Sequence, residues 1–358
     1  GDTMIEQRIA RLRTFLQEHD ADGVIIVQPE NLRYFSAFTG GEGALVIGLD
    51  QAVLWTDSRY TEQAANQSGT WYDIKNHNGA LSDSIRSSLT DMDIGVAAYE
   101  ENFLTHFMYE NISDGALCGF LPCDLTSLRA VKEPYELKAT RKASNIADRA
   151  FAELLPYIKP GVTEKELAAR LESNMLLLGS EEKSFTTIVA SGKRSAMPHG
   201  TASPKVIEDG DFVTFDFGAV WEGYHSDITR TVVVGKASQA QKDFYNLILE
   251  GQKLGVSLIK AGVSRREVDY AVRNYFARYH VSQYFTHSLG HGTGLEIHEQ
   301  PVLSPKSAGV LEENMIVTVE PGLYIEGKFG VRIEDSVAVT ANGCEILTKT
   351  PKDLMELL

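Results

Sequence analysis

Two acidic residues interrupt stretches of sequence that otherwise have the composition of buried β-strands. Asp216 lies among aromatic and β-branched residues at 212–218, and Asp227 lies in the β-rich run 225–234. An isolated buried carboxylate is unfavourable by several kcal/mol unless a partner compensates its charge. A turn at 221–223 would fold the two runs into a hairpin and set the acids roughly opposite each other, where bare carboxylates repel. A cation between them would remove this repulsion.

The same arrangement recurs near the end of the sequence. Glu320 ends one strand-like run, Glu334 lies in another, and both acids are equally distant from Gly327. A second hairpin is therefore predicted, again with two acids brought together. Between the hairpins runs a glycine-rich segment with three histidines, His287, His291 and His298. Their imidazoles could bind a metal ion or transfer protons.

These residue types predict a site for two divalent cations. Four carboxylates carry a charge of about −4, which two divalent ions would neutralise, whereas one ion would leave the site strongly anionic. The predicted ligands are the four acids and one histidine. Oxygen-rich ligation with a single imidazole favours Mn²⁺, with Co²⁺, Fe²⁺ and Zn²⁺ as alternatives among which the sequence does not select.

Each of these residues also has a simpler interpretation. A single strand acid can form a salt bridge or occupy a sheet edge, and a single histidine is more often an ordinary surface or core residue. The matching pairs of acids in two hairpins favour the metal site. Glu296, Glu299 and Asp335 are interpreted as neighbours of the site or as solvent-facing residues.

The elements that must position these residues fall into two predicted domains, 1–125 and 126–358. A chain of 358 residues, 43% of them hydrophobic, exceeds the usual size of one domain and can bury a substantial core. The first part combines a helical pattern at 5–19 with strand patterns at 24–27, 44–49 and 52–55. These patterns indicate a compact α/β unit.

The second domain begins with two predicted helices, at 134–157 and 163–178, the second headed by a Thr163–Glu166 capping box. Two further helical patterns, at 238–260 and 264–279, precede a strand-rich final third. Helices inserted between groups of strands predict an α+β fold. The order of two helices followed by strands occurs twice, which indicates an internal duplication.

Charge and cysteine content exclude several classes of protein. The 34 basic and 49 acidic residues give a net charge of −15, which would repel nucleic acid and an anionic membrane surface. The three cysteines form neither a C-x-x-C pair nor an even disulfide framework, and no apolar run is long enough to span a membrane. We therefore expect a cytoplasmic protein that binds neither nucleic acid nor membrane.

The motifs resemble those of the pita-bread-fold metallopeptidases, a family that includes Xaa-Pro aminopeptidase (aminopeptidase P), Xaa-Pro dipeptidase (prolidase) and methionine aminopeptidase. The resemblance runs from about residue 131 to the end and rests on PHG at 198–200, DFG at 216–218, SDITRT at 226–231, residues 287–298, VEPG at 319–322 and VRIED at 331–335. The first domain resembles the smaller creatinase/prolidase-like N-terminal domain of the branch that cleaves before proline. Simple methionine aminopeptidases lack that domain.

The resemblance implies a role for each matching residue. It makes Asp216, Asp227, His291, Glu320 and Glu334 the metal ligands, with Asp227 and Glu334 bridging the two ions. It assigns Glu320, His199 and His298 to catalysis, with Glu320 as general base and a metal-bridging hydroxide as nucleophile. It assigns His287, Arg332 and, more weakly, Tyr224 to substrate binding.

The resemblance also implies a metal-dependent exopeptidase, a homodimer, that hydrolyses the Xaa-Pro bond at the N-terminus of short peptides with proline in second position. Whether it acts as an aminopeptidase or as a dipeptidase stays open, since that choice depends on loop shape. Two other functions remain alternatives: a catalytically silent peptide-binding protein, and a non-peptidase metal-dependent lyase or hydrolase on the same fold. The intact ligand set disfavours the first of these.

Overall fold

The computed structural model describes residues 2–358 as two compact units that divide between Arg129 and Ala130. The sequence placed this boundary at residue 125. The intervening residues include a 3₁₀ turn at Thr126–Arg129. Within the first unit, the buried Arg129 donates a hydrogen bond to the side chain of Asn31 over 2.6 Å. This bond ties the turn to the first unit and explains why that unit extends past residue 125.

In the described part of the first unit, five α-helices and six strands precede the 3₁₀ turn. In chain order these are α1 (Asp2–Glu18), β1 (Gly23–Ile26), α2 (Pro29–Ser36), β2 (Ala44–Gly48), β3 (Ala52–Thr56), α3 (Thr61–Ser68), β4 (Asp73–Asn76), α4 (Leu81–Asp91), β5 (Val96–Glu100), α5 (His106–Ser113) and β6 (Gly119–Cys123). The strands form one sheet in the order β4-β3-β2-β1-β5-β6. β2 runs antiparallel to both of its neighbours and the other pairs are parallel, so the predicted α/β unit is present.

Helical periodicity explains how α1 attaches to this unit. Ile5, Ile9, Leu12 and Leu16 recur at the three- and four-residue spacing of one helix face, and all four are buried. The strand at 24–27 likewise became a fully buried central strand, since β1 has neighbours on both sides. The predicted elements of the first unit are therefore confirmed, with ends shifted by a few residues at most.

Four long helices belong to the second unit. They are α6 (Pro134–Leu154), α7 (Glu164–Leu177), α8 (Gln239–Leu258) and α9 (Arg265–Arg278). The α6 helix stops before the predicted residue 157, because Pro156 lacks an N–H and the chain tightens into a 3₁₀ turn at Leu155–Tyr157. The predicted capping box heads α7, with reciprocal hydrogen bonds of 3.1 and 3.0 Å between Thr163 and Glu166.

The strands of the second unit are mostly antiparallel. They are β7 (Ile188–Ser191), β8 (Phe212–Phe217), β9 (Val220–Trp221), β10 (Tyr224–His225), β11 (Ile228–Val234), β12 (Gly290–Gly292), β13 (Glu299–Leu303), β14 (Ile316–Val319), β15 (Gly322–Ile325), β16 (Phe329–Arg332), β17 (Asp335–Val339), β18 (Cys344–Ile346) and β19 (Glu356–Leu357). They form a sheet ordered β19-β11-β8-β7 and another ordered β13-β12-β14-β17-β18. The α+β prediction is confirmed.

Both halves of the second unit repeat one construction. In each half two helices precede a pair of neighbouring strands in a large sheet, and the chain forms a small hairpin between those two strands. In the sequence β9–β10 lies between β8 and β11, and β15–β16 lies between β14 and β17. The order of elements is that expected of an internal duplication. The construction places four strand ends of the large sheets beside the two small hairpins.

The turns of both small hairpins lie where the sequence predicts them. Glu222 and Gly223 have φ angles of 50° and 83°, as a two-residue turn with positive φ at both central positions requires. In the second hairpin Gly327 has a φ of 78°. Val319 pairs with Asp335 on one side of the two acids, and Gly322 pairs with Arg332 on the other. Both pairs have the same register, which sets Glu320 opposite Glu334. The second hairpin is thus confirmed, although its strands pass from one sheet into another at the two acids.

Aromatic packing orients the strand that carries Asp216. Phe151 of α6 packs against Phe215 and Phe217 with ring centroids 5.4 Å away in each case. Because successive side chains of a strand point to opposite faces, burying these two phenylalanines directs Asp216 to the other face of β8. Among the described residues, no helix combines the length and the apolar character that crossing a membrane requires.

We predict that Phe151→Ala lowers the free energy of unfolding by about 3–5 kcal/mol, because it leaves a cavity beneath β8. Chemical denaturation of the purified variant measures this change. Leu176→Ala is the matched control: Leu176 also lies on a helix of the second unit but is 53% exposed. A similar loss of stability in both variants would contradict the packing role of Phe151.

Candidate metal centre

The second unit gathers three acids and one histidine in one place. Ligand atoms of Asp227, His291, Glu320 and Glu334 all lie within 4.8 Å of one another. Asp227 precedes β11, Glu320 follows β14, Glu334 precedes β17, and His291 is the central residue of β12. Each acid therefore stands where a strand of a large sheet meets a small hairpin, and the duplicated construction brings both pairs together.

Asp216 extends this cluster from β8: it is not among the four residues whose ligand atoms lie within 4.8 Å of one another, but its carboxyl interacts with those of Asp227 and Glu320. Its register differs from the prediction. It pairs with Thr229 across β8 and β11, so Asp227 lies two residues before the position opposite Asp216. The roughly opposite placement expected from the sequence is therefore wrong by two residues. The even offset keeps both acids on the same face of the sheet, as diagonal neighbours.

Three oxygens of this cluster lack a hydrogen-bond donor among the described residues. They are Oδ1 of Asp216, Oδ1 of Asp227 and Oε2 of Glu334, and all three are buried. Buried polar atoms are nearly always paired, so oxygens without a donor indicate a missing partner. Carboxylate oxygens are the ligands that hard divalent cations prefer. The residues present therefore fit a divalent metal site.

Burial, and after it crowding, makes ionisation of two of these acids unfavourable, as their pKa values show. Burial raises the pKa of Asp216 well above its usual range, and the charge of Asp227 raises it further. Burial also raises the pKa of Glu320 to about 7, although the nearby His291 opposes this change. A cation bound between these groups would favour their ionised forms.

A local hydrogen bond orients His291 toward the acids. Its Nδ1 lies 2.9 Å from the carbonyl oxygen of Gly292, to which an Nδ1–H donates. Nε2 then faces the carboxylates of Asp227 and Glu320, at 3.2 and 3.7 Å. Burial lowers the pKa of His291, but these two carboxylates outweigh burial and raise it to about 9. With Nδ1 occupied, Nε2 is the nitrogen available to a metal ion.

Hydrogen bonds between the two halves of the second unit fix the backbone beside the acids. Thr229 donates through Oγ1 to Oε1 of Glu334 over 2.7 Å, and Glu334 donates its N–H to the carbonyl of Thr229 over 3.1 Å. Arg230 donates to the carbonyl of Glu334 over 2.6 Å, and Ser336 donates to the carbonyl of Asp227 over 2.6 Å. These bonds position two ligands through neutral and cationic donors.

Two acids that the sequence left as neighbours or solvent-facing residues are buried in ion pairs. Asp335 contacts Arg230 and Lys352, each over 2.8 Å, and Glu299 pairs with Lys132. Although burial opposes it, the charges of Arg230 and Lys352 hold the pKa of Asp335 below its usual range. Asp335 thus supports the segment that carries Glu334 and does not face solvent.

The other predicted histidines lie around the acids. The ring of His298 is centred 4.3 Å from that of His291, and His298 and His199 are both exposed. The ring of His298 is shielded from water on part of its surface, which lowers its pKa, and the charges of His291 and His199 lower it further. Burial lowers the pKa of His287 to about 4, with Arg332 and His199 acting in the same direction. The three predicted site histidines are therefore close enough to influence one another.

Tyr324 is a site residue that the sequence reasoning missed. Its hydroxyl oxygen lies 2.8 Å from Nε2 of His287 and accepts a hydrogen bond of 2.9 Å from Arg332. Arg332 also donates to Oδ2 of Asp216 over 2.9 Å. The sequence could have predicted this neighbour: in the hairpin centred on Gly327, the alternation of side chains puts Tyr324 on the same face as Arg332.

Tyr224 contacts the start of α6, unlike the other predicted site residues. It is buried, and its hydroxyl donates to the carboxylate of Glu136 over 2.9 Å at the start of α6. Its ring also packs edge-on against Tyr135, with centroids 6.2 Å apart. The structure thus gives Tyr224 a contact with α6, and the substrate-binding role stays a prediction.

Comparison with known proteins assigns both units. A sequence model of metallopeptidase family M24 matches residues 138–341, and a model of the creatinase/prolidase N-terminal domain matches residues 8–131. The chain is 38% identical over 355 residues to the Xaa-Pro dipeptidase of Pyrococcus furiosus, an alignment that covers 98% of this chain and 100% of that protein.

Solved structures resemble the chain over its whole length. An Xaa-Pro dipeptidase from Bacillus anthracis is 44% identical, with a TM-score of 0.96 over 99% of this chain and 100% of that one. An X-Pro aminopeptidase from Thermotoga maritima is 38% identical, with a TM-score of 0.88 over 97% and 99% of the two chains. These likenesses confirm the predicted fold, a pita-bread catalytic unit preceded by a smaller α/β unit.

We predict that adding Mn²⁺ to chelator-treated protein raises its Tm, because an ion that binds only the folded state stabilises that state, by about 2.7 kcal/mol at a hundred times its Kd. His291→Ala should reduce both this rise and the metal content of the protein. Differential scanning fluorimetry and elemental analysis measure the two effects. Asp243→Asn, which changes an exposed acid of α8, is the control and should respond as the unaltered protein does.

Proposed function

The chain belongs to metallopeptidase family M24, and on this premise we propose that it is a metal-dependent exopeptidase that hydrolyses Xaa-Pro bonds in short peptides. One observation carries the proposal: Asp227 and Glu334 each have a buried carboxylate oxygen without a donor among the described residues, and ligand atoms of both lie within 4.8 Å of those of His291 and Glu320. The chain also matches proline-specific peptidases over nearly its full length. A structural ion pair would not leave those oxygens without partners.

The centre is proposed to hold two divalent ions, with Mn²⁺ preferred. Asp216, Asp227, His291, Glu320 and Glu334 would be the ligands, and Asp227 and Glu334 would serve both ions. Their four carboxylates carry a charge of about −4, which two divalent ions balance. When bound, such ions polarise a carbonyl and lower the pKa of water.

Glu320 is proposed to move the proton that hydrolysis requires. A carboxylate within hydrogen-bond reach of the reacting water can accept a proton from it and later release that proton. Glu320 lies 3.7 Å from the imidazole of His291, at the point where β14 leaves the large sheet. From there Glu320 can accept a proton from water and pass it to the leaving nitrogen.

His298 and His199 are proposed to stabilise the oxygen on which negative charge develops. Both side chains are exposed and so can reach a substrate, and His298 lies against His291. Their hydrogen bonds would strengthen as charge develops, so they act on the transition state more than on the bound substrate. His287 and Arg332, joined through Tyr324, would hold the substrate in place.

Within the proline-specific peptidases we propose a dipeptidase. The relatives named Xaa-Pro dipeptidase are 44% and 38% identical to this chain over nearly its whole length. The X-Pro aminopeptidase of Thermotoga maritima, at 38%, makes tripeptide cleavage the competing activity. A homodimer and a cytoplasmic location complete the proposal as predictions.

We predict that chelator-treated protein is inactive on Ala-Pro and that Mn²⁺ restores cleavage, which amino-acid analysis of the products measures. Ala-Ala is the control substrate, and Ala-Pro-Ala tests the length preference. Release of alanine from Ala-Pro-Ala would replace the dipeptidase with an aminopeptidase. Metal binding without cleavage of either proline peptide would favour the peptide-binding or lyase alternatives.

We predict that His298→Ala and His199→Ala each lower kcat about 10²–10³-fold with little change in KM, because each removes a donor to the developing charge. Steady-state kinetics with Ala-Pro test this, with metal content measured alongside. His280→Asn is the control, since His280 is exposed and asparagine tolerates its φ of 59°. Unchanged kcat in both alanine variants would remove the histidines from the mechanism.

A further inference from the structure

We propose that Glu164 is a positioning residue for catalysis, which places His199 by binding both ends of the loop that carries it. The inference rests on the proposed function, since it concerns a histidine of that reaction. Glu164 is the first residue of α7, and its side chain is fully buried. The loop, residues 191–203, leaves β7 and includes a 3₁₀ turn at Gly192–Ala196.

Each oxygen of Glu164 binds one end of the loop. Oε2 accepts hydrogen bonds from the backbone N–H and the hydroxyl of Ser191, over 2.8 and 2.7 Å. Oε1 accepts from the backbone N–H and the hydroxyl of Ser203, over 3.0 and 2.6 Å. One carboxylate therefore holds the first and last residues of the loop.

Arg194 extends this anchor into the loop. One guanidinium nitrogen forms an ion pair with Oε1 of Glu164, and the other donates to the carbonyl of Thr201 over 2.8 Å. Thr201 lies two residues after His199. Farther along, Arg332 donates to the carbonyl of Pro198 over 3.0 Å. The backbone on both sides of His199 is thus fixed, on one side by Arg332 and on the other by the pair Glu164–Arg194.

Because His199 is exposed, its position depends on these contacts of the loop backbone. An exposed imidazole has little packing to hold it, so its position depends on the backbone that carries it. The adjacent Gly200 lies so close to β7 that an added Cβ would be 2.9 Å from the Cβ of Ala190. A shift of the loop would therefore move His199 relative to the metal ligands, which stand on other strands.

A carboxylate suits this position and an amide does not. All the groups that face Glu164 are donors, namely two backbone N–H groups, two hydroxyls and a guanidinium. Glu164→Gln would turn an NH₂ group toward some of those donors. Hydroxyls can rotate to accept, but a backbone N–H cannot, so one end of the loop would be released.

The test compares Glu164→Gln with Glu166→Gln on Ala-Pro. Glu166 lies in the same first turn of α7, where its carboxylate caps the helix by accepting from the N–H of Thr163. Misplacing a group that acts on the transition state lowers kcat, and a displacement of about 1 Å can cost about a hundredfold. We expect kcat to fall about 10- to 100-fold in Glu164→Gln, with KM and metal content unchanged, and to stay unchanged in Glu166→Gln.

A double variant shows whether the effect passes through His199. If Glu164 acts by placing that imidazole, Glu164→Gln adds little further loss of kcat in a His199→Ala background. An equal loss in both backgrounds, or a loss of metal, would overturn the proposal. Should Glu164→Gln fail to fold, Ser203→Ala removes one hydrogen bond to Oε1 and should lower kcat in the same way, by less. If that variant keeps full kcat, the proposal is equally overturned.

The failure of the proposed function would look different. In that case the unaltered protein, loaded with Mn²⁺, would not cleave Ala-Pro at all, and the role assigned to His199 would be overturned with it. Cleavage by the unaltered protein with no difference between the two glutamine variants would overturn the inference alone.

Discussion

Mutual repulsion among buried carboxylates is the constraint on which the second unit depends. Ligand atoms of three acids and a histidine lie within 4.8 Å of one another, and Asp216 adds a further charge. Several of their oxygens have no donor among the described residues. The acids of such a cluster stay ionised only if cations share their charge, and they stay close together only if a rigid scaffold prevents them from moving apart. The fold supplies that scaffold twice, once in each half.

The duplicated construction explains how strands deliver acids to one point. Each pair of strands leaves its large sheet to form a small hairpin, and Asp227, Glu320 and Glu334 stand at these junctions, whereas Asp216 lies within β8. At these junctions the backbone lacks some ladder partners, so it can hydrogen-bond to the other half. The bridge between Thr229 and Glu334 then joins the halves directly at the ligands. Cationic support comes from Arg230 behind Glu334 and from Arg332 beside Asp216.

In the proposed chemistry the rigid acids bind metal ions, and the exposed histidines contact the substrate. The acids are fixed by strands, whereas His199 and His298 lie on connecting segments and must meet a substrate that enters from solvent. Such segments keep their geometry only through specific anchors, which are polar because the backbone of a loop must find partners. Lys132–Glu299 beside His298 and Glu164–Arg194 around the His199 loop have this character. In the proposed mechanism, the placement of these histidines depends on ion pairs outside the metal centre.

The sequence alone determined much of this protein. The spacing of Asp216, Asp227, Glu320 and Glu334 around two turns predicted both hairpins and a cation site, because strand alternation and turn position are local properties. Helical periodicity and the capping box at Thr163 likewise located the helices. Only the tertiary structure decided the two-residue offset between Asp216 and Asp227, since register depends on pairing across the whole sheet. The contacts of Tyr224 with Glu136, of Tyr324 with His287 and Arg332, and of Glu164 with both ends of a distant loop also emerged only there. These contacts join residues far apart in the chain, and no local pattern encodes which distant groups a folded chain brings together.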